Sequence, residues 1–227
     1  MFVSEGVSML ELKMQGMVIH PTLIWDETSA ILIDTGMPGQ LDDIKEAMEE
    51  AGVPFDHLKA VILTHQDFDH IGSLYEVVSQ FSDIKVYAHE LDKPYIEGDI
   101  PLLKVRKEME DIINNSPKAK ITDTLEDKEV LPYFGGIEVI FTPGHTPGHI
   151  SLYLKKSKIL VMGDASVSEN GIMKGPVERV TPDKETALKS LAKFKEYDIE
   201  KVISYHGGLC EENVKEQLDG LASLSSK

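Results

Sequence analysis

The sequence is poor in cysteine, in basic residues and in long apolar runs. Cys210 is the single cysteine, so no disulfide can form within the chain, which fits a reducing compartment. Only 23 basic residues stand against 39 acidic ones, and the net charge of −16 repels the phosphate backbone of a nucleic acid. No apolar run approaches the roughly 18 residues of a membrane span, and the N-terminus lacks the pattern of a signal peptide. We therefore expect a cytoplasmic protein with neither a nucleic-acid nor a membrane partner.

Strand patterns and helix patterns alternate along the first part of the chain. Strands are predicted over residues 8–14, 18–26, 29–36, 57–65 and 84–90, and helices over residues 39–52 and 69–81. Such alternation is typical of an α/β domain. Hydrophobic residues make up 41% of the chain, which is enough for one sizeable core. The sequence therefore predicts a single domain over residues 1–227.

The pattern repeats after a less regular middle segment. Residues 91–127 form a predicted insertion with one helix over 102–115, whose apolar side chains would cover a groove or a neighbouring subunit of a homodimer. Strands then return over 136–141, 150–154, 158–164 and 199–206, with helices over 182–197 and 211–224. The apolar side chains offered by the insertion helix are Leu103, Met109, Ile112 and Ile113. The strand-rich, helix-closed pattern thus occurs twice, which indicates two similar halves facing each other.

Residues 64–70, THQDFDH, place two histidines and two aspartates directly after an apolar strand. One interpretation is that Asp67 or Asp69 caps the following helix, because an aspartate accepts a hydrogen bond from a free N–H of the first turn. Capping uses a single aspartate and leaves three side chains without a role. Further apolar strands run into His145, Asp164 and His206. Ligand sites in α/β sheets lie outside the carboxyl ends of the strands, so all these side chains are expected at one edge.

Seven candidate ligands are too many for one zinc-sized ion, which usually takes four. They suit two divalent ions that share a bridging carboxylate and a bridging hydroxide. The candidates are His65, Asp67, Asp69, His70, His145, Asp164 and His206.

THQDFDH, TPGHTPGH, MGD and YHGG, in this order and after an early DTG, resemble the metallo-β-lactamase-fold hydrolases. The resemblance runs from Asp34 to His206 and implies a four-layer αββα sandwich with a metal site in a shallow groove. It also implies the role of each ligand: His65, Asp67 and His145 for the first metal, Asp69, His70 and His206 for the second, and Asp164 as the bridge. Asp34 and His149 would orient ligands through hydrogen bonds without binding metal.

The chain departs from the family pattern at Asp67, where most members carry histidine. The motif is therefore H-x-D-x-D-H in place of H-x-H-x-D-H, although the related flavodiiron proteins also place a carboxylate there. Asp67 is predicted to be a ligand; the alternative is that it caps the helix and leaves the first metal site weak or empty. Oxygen ligands favour iron and manganese relative to zinc, so two ions of Zn, Fe or Mn are expected.

The resemblance implies a metal-dependent hydrolase in which Asp69 and Asp164 orient the bridging hydroxide and handle protons. The expected substrate is a small ester, thioester or lactone, and the alternatives are a small phosphodiester or a flavodiiron-like redox reaction. A β-lactamase is disfavoured because those members lack the bridging aspartate. A glyoxalase II is disfavoured because its basic C-terminal extension is missing here. The basic side chains beside the expected groove are predicted to be solvated surface, with contact to an anionic substrate as the alternative: Lys104, Arg106, Lys107 and Lys174.

Overall fold

A computed structural model describes residues 1–14, 16–105 and 107–226, so Arg106 lies outside the described residues. In chain order the strands are β1 (Phe2–Ser4), β2 (Val7–Met9), β3 (Leu12–Met14), β4 (Met17–Ile19), β5 (Thr22–Trp25), β6 (Ala30–Ile33), β7 (Leu58–Ile62), β8 (Lys85–His89), β9 (Asp123–Leu125), β10 (Val130–Leu131), β11 (Ile137–Phe141), β12 (Ile150–Leu154), β13 (Ile159–Gly163), β14 (Val167–Glu169), β15 (Ile172–Gly175), β16 (Lys201–Ser204) and β17 (Gly208–Cys210). The helices are α1 (Leu41–Glu50), α2 (Phe68–Ile71), α3 (Leu74–Val78), α4 (Lys93–Ile96), α5 (Lys107–Asn115), α6 (Lys184–Leu191) and α7 (Val214–Ala222).

Each half of the chain builds one large sheet. Within the described residues, the first sheet has the strand order β1-β2-β5-β6-β7-β8-β9 and the second has the order β10-β11-β12-β13-β16-β17. Strands β6, β7, β8 and β9 run parallel in the first sheet. In the second sheet β13 and β16 run parallel. The carboxyl ends of parallel strands lie at one edge of their sheet, so the loops that follow them are brought together there.

Three hydrophobic clusters hold the layers together. The central cluster joins the facing sides of the two sheets, with Ile31 and Ile62 from the first and Val139 and Ile203 from the second. One outer cluster packs the first sheet against α1, α3 and α5, and the other packs the second sheet against α6 and α7. This layer order confirms the predicted αββα sandwich. Among the residues described, no helix combines the length and apolar character needed to cross a bilayer.

Two of the predicted N-terminal strands are each broken in the structure. The segment 8–14 divides into β2 and β3, and the segment 18–26 divides into β4 and β5, with β3 and β4 forming a separate two-stranded sheet. Pro21 lies at the second break, where it has no N–H to give to a sheet partner. Apolar residues stand on both sides of each break, which explains why the prediction missed them.

The predicted helix over 69–81 also divides, into α2 and α3. The division lies at Gly72 and Ser73. A Cβ at Gly72 would lie 2.4 Å from the backbone nitrogen of Pro38, so only glycine allows this close approach. The Ser73 hydroxyl donates to the carbonyl of Met37 and accepts from the N–H of Gln40. These contacts join the two helices to the loop that carries the DTG motif.

The middle segment is more deeply involved in the core than the sequence indicated. Ile113 is buried in the outer cluster of the first sheet and Met109 packs against it, while Ile112 is 58% exposed. Residues 123–125 at the end of the segment form β9, which pairs with β8. The expectation that the helix only covers a groove or a partner is therefore wrong for Ile113.

Candidate metal centre

The strand ends bring all seven predicted ligands to one edge of the sandwich. The segment 65–70 follows β7, His145 lies between β11 and β12, Asp164 follows β13 and His206 follows β16. Three overlapping groups result, and within each the potential ligand atoms lie within 4.8 Å of one another. The first group is His65 with Asp67 and His145, and the second group is Asp69 with His70 and His206. A further set, His65 with His70 and Asp164, overlaps both of them.

Asp67 faces the histidines of the first group. Its Oδ2 lies 3.0 Å from Nε2 of His145 and 3.4 Å from Nε2 of His65. Asp67 stands at the position before α2, yet its side chain makes no hydrogen bond to the first turn of that helix. The geometry therefore gives no support to the capping interpretation and places the carboxylate where a ligand would lie.

Asp164 contacts imidazoles from both metal groups. Its Oδ2 lies 3.4 Å from Nε2 of His145 and 3.5 Å from Nε2 of His206, and its Oδ1 lies 3.4 Å from Nε2 of His70. Nε2 of His206 is also 3.2 Å from Oδ2 of Asp69. The carboxylate of Asp164 therefore lies among the imidazoles of His70, His145 and His206.

Several buried polar atoms of this centre have no hydrogen-bond partner among the residues that the structure describes. They are His65 Nε2, Asp67 Oδ1, His70 Nε2 and Asp164 Oδ1. Buried polar atoms are normally paired, and imidazole nitrogens and carboxylate oxygens are the donors that zinc, iron and manganese accept. The residues present therefore fit divalent metal ions.

The carboxylates strongly perturb the histidines. Burial disfavours a charged His206, but the charge of Asp164 and hydrogen bonds to Asp164 and Asp69 outweigh it and raise the pKa of His206 to about 10. Burial also opposes the charge of His70, whose pKa is nevertheless raised well above its usual range by Asp34, Asp164 and Asp69. The centre thus attracts positive charge strongly.

Asp34 lies beneath the loop that carries the first four predicted ligands. Its Oδ1 accepts a 2.8 Å hydrogen bond from the N–H of Thr64, and its Oδ2 accepts from the Thr64 hydroxyl at 2.7 Å. Nδ1 of His70 lies 2.9 Å from the same Oδ2. A carboxylate on Nδ1 fixes the orientation of the ring, so Nε2 of His70 is directed at the metal groups.

His149 uses both ring nitrogens for hydrogen bonds within the protein. Nδ1 lies 2.8 Å from the hydroxyl of Thr142, and Nε2 accepts the N–H of Asp164 at 3.0 Å. Burial lowers the pKa of His149 to about 3, so the ring is neutral and can accept this bond. Gly163 allows the approach, because a Cβ there would lie 2.8 Å from Nε2 of His149. His149 therefore positions the backbone of Asp164.

Asp92 is a buried carboxylate that the sequence reasoning missed. Its Oδ2 accepts from the N–H of Gln66 at 2.9 Å and from the hydroxyl of Thr146 at 2.7 Å. Its Oδ1 accepts from the N–H of Gly148 at 2.7 Å and from Nε2 of Gln66 at 3.3 Å. Asp92 thus joins the THQDFDH loop to the TPGHTPGH loop. The available signal was its position just beyond the predicted strand over 84–90, a strand end like the others.

Tyr205 was also missed, although it directly precedes a predicted ligand. Its ring stacks on the ring of His70 with centroids 3.7 Å apart. Its hydroxyl donates a hydrogen bond to the backbone carbonyl of Asp69. Tyr205 therefore supports two residues of the second metal group at once.

Lys104 corrects the prediction of solvated surface. Its ammonium lies 2.7 Å from Oδ2 of Asp67 and donates to the carbonyls of His145 at 2.9 Å and Val180 at 3.1 Å. The side chain is only 14% exposed. No local pattern in the sequence marks this contact, because Lys104 lies in an irregular segment far from the motif.

Comparisons with known proteins agree with this fold and identify the family. A sequence model described as the metallo-beta-lactamase superfamily matches residues 16–206. The probable metallo-hydrolase YflN of Bacillus subtilis (strain 168) is 34% identical over 221 residues, covering 87% of this chain and 83% of that protein. The hydroxyacylglutathione hydrolase GloC of Haemophilus influenzae is 27% identical over 172 residues, covering 75% and 76%.

Solved structures with low sequence identity share the fold. The metallo-beta-lactamase family protein TTHA1429 of Thermus thermophilus superposes with a TM-score of 0.75 at 19% identity, covering 98% of this chain and 80% of that chain. The superfamily protein ST1585 of Sulfolobus tokodaii gives a TM-score of 0.73 at 21% identity, with coverages of 98% and 86%. Sequence and fold agree with the motif resemblance, and the chain therefore belongs to the metallo-β-lactamase superfamily, as a metal-dependent hydrolase.

Proposed function

We propose that this protein hydrolyses a small ester, thioester or lactone at a centre of two divalent metal ions. The observation that carries the proposal is the position of Asp164, whose carboxylate approaches imidazoles of both metal groups. A centre for one ion would not need a buried carboxylate shared in this way. Divalent ions supply an acidified water at neutral pH and polarise the carbonyl oxygen of the substrate.

The protein's own residues position the reacting groups and move protons. The first group holds His65, Asp67 and His145, and the second holds Asp69, His70 and His206. Asp69 is the candidate proton acceptor, because its carboxylate is partly exposed and lies beside His206. Asp34 and His149 hold His70 and Asp164 in place through hydrogen bonds.

A thioester is the acyl substrate with the most support. GloC is by name a hydrolase of hydroxyacylglutathione, in which the acyl group is carried on sulfur. The sequence-based argument against a glyoxalase II activity depended only on where the chain ends, whereas the similarity to GloC covers 76% of that protein. The net charge of −16 disfavours a polyanionic substrate.

A hydrolysis screen tests the proposal. Protein loaded with zinc, manganese or iron should hydrolyse thioesters, including hydroxyacyl thioesters of glutathione, or lactones or esters, and a chelator should abolish this activity. The control is Asp69→Asn, which keeps the size of the side chain and should lose most turnover. Metal-dependent cleavage of phosphodiesters alone, or no metal-dependent hydrolysis at all, would contradict the proposal.

Metal uptake should release protons at neutral pH. In protein stripped with a chelator, the raised pKa values of His70 and His206 mean that both rings are positively charged, with a proton on each nitrogen, and an incoming cation must displace one of these protons from each ring. Apparent metal affinity should therefore rise as the pH rises toward about 10, the pKa of His206. Calorimetric titration in two buffers of different ionisation enthalpy measures the release. Identical binding heats in both buffers would contradict this prediction. So would a His206→Gln variant that releases as many protons on metal binding as the parent does.

A further inference from the structure

We infer that Lys104 is a positioning residue that shares Asp67 with the first metal ion and makes the first metal site the weaker of the two. The inference rests on the proposed two-metal centre and goes beyond it, because it assigns a function to the middle segment. It depends on the contacts of Lys104, on the link between this segment and the motif, and on the charges around Asp67.

All donors of the Lys104 ammonium are used within the protein. An ammonium has three N–H donors, and the three acceptors are Asp67 Oδ2, the carbonyl of His145 and the carbonyl of Val180. A substrate anion therefore finds no donor left on this group. Lys104 also has a left-handed backbone with φ of 59°, which a residue with a side chain rarely adopts. These contacts hold it in that conformation.

The neighbouring residue makes a matching contact. The N–H of Leu103 donates to Oε1 of Gln66 at 2.9 Å, while Gln66 is itself held by Asp92. Consecutive residues of the middle segment thus bind consecutive residues of the motif, Leu103 to Gln66 and Lys104 to Asp67. Asp67, the residue at which the motif differs from the family pattern, is therefore also the residue that the middle segment contacts.

The charges determine what this contact does to a metal ion. Asp67 in place of the usual histidine adds a negative charge to the first group, and the Lys104 ammonium cancels it. The ammonium lies on Oδ2, the same oxygen that faces His65 and His145. An ion bound among these three side chains would share that oxygen with a second cation, and the two positive charges repel each other.

The second metal group lacks this competition. Among the described residues, the ion pair of Lys104 is with Asp67, and its hydrogen bonds go to carbonyls of His145 and Val180. Asp69, His70 and His206 form the second group without it. Removing the ammonium should therefore strengthen one binding step and leave the other nearly unchanged.

Stepwise zinc and manganese titration against a chromophoric chelator tests the inference with Lys104→Met, which keeps an unbranched side chain of nearly the same length and removes its charge. The weaker binding step should tighten about tenfold or more, the scale on which neighbours of metal ligands alter affinity. Lys104→Arg keeps the charge and should retain a weak step. Lys107→Met is the matched control, because Lys107 is exposed on the same segment, and it should bind as the parent does.

The outcomes separate this inference from the proposed function. If the parent holds one ion and Lys104→Met holds two, the inference is supported, and Lys104 then prevents occupation of the first site in the parent. The inference is wrong, and the two-metal proposal stands, if all variants bind two ions with the parent's affinities. The same holds if Lys104→Met lowers the affinity of the lower-affinity binding step. If no variant binds metal, both are wrong. Thermal unfolding of the stripped proteins shows whether the substitutions alter the fold itself.

Discussion

Replacing Asp164 with alanine should remove most bound metal from both sites and lower turnover by about 100-fold or more. The effect is large because this carboxylate approaches imidazoles of both groups, so its loss weakens the two sites together. It also removes one of the carboxylates that raise the pKa values of His70 and His206. Elemental analysis of the purified variant and hydrolysis of the substrate found in the screen measure the two effects.

The control for this substitution is Asp198→Ala. Asp198 is exposed and pairs with Lys158 on the surface, so its loss should change neither metal content nor turnover. Asp164→Asn separates charge from shape, because it keeps one oxygen and the size of the side chain. An Asp164→Ala protein that retains two ions per chain and near-normal turnover would show that the two-metal proposal is wrong.

Replacing Asp92 with asparagine should destabilise the protein by roughly 3 kcal/mol or more, because each buried donor left without an acceptor costs about 1–3 kcal/mol. The carboxylate accepts from two donors on Gln66, from the Thr146 hydroxyl and from the N–H of Gly148. Asparagine replaces one carboxylate oxygen with an NH₂ group, which is a donor. Whichever oxygen is replaced, the NH₂ group would face two donors that have lost their acceptor. Denaturant unfolding of stripped protein measures the change without a contribution from metal.

Asp99→Asn provides the matched comparison for Asp92→Asn. Asp99 lies on the same segment but is exposed, and surface substitutions of this kind usually stay within about 0.5 kcal/mol. Asp92→Asn should also loosen Gln66 and thereby the adjacent ligand Asp67, which lowers metal content at the first site. Equal unfolding free energies for the two variants would show that Asp92 does not join the two loops.

The features that could be predicted from the sequence are those governed by strand ends. His65, Asp164 and His206 each follow an apolar run, and the ends of parallel strands meet at one edge whatever the details of the loops. The twice-repeated pattern of strands and helices indicates two similar halves, and the motif resemblance implies their arrangement as αββα layers. Family and fold were therefore predictable without coordinates.

The remaining features depend on contacts between distant segments without periodic patterns. The apolar pattern predicted a helix over 102–115, but α5 begins at Lys107, and Lys104 lies before it in an irregular stretch whose contact with Asp67 no periodic pattern indicates. The division of residues 8–14 likewise depends on tertiary pairing, because β2 joins the first large sheet and β3 pairs with β4 in a separate sheet. Both pieces contain apolar residues, so the sequence does not distinguish them. Ile113 looked like a cover for a groove because an amphipathic face does not reveal its partner.

The distribution of ligands over the two halves of the chain has a consequence for the order of folding. The first sheet carries His65, Asp67, Asp69 and His70, whereas His145, Asp164 and His206 belong to the second. Neither half alone completes the proposed two-metal centre, so the ions would bind tightly only after the halves have docked. Interactions formed after the folding transition state slow unfolding without accelerating folding. The metal ions would therefore act as removable cross-links that lengthen the lifetime of the native state.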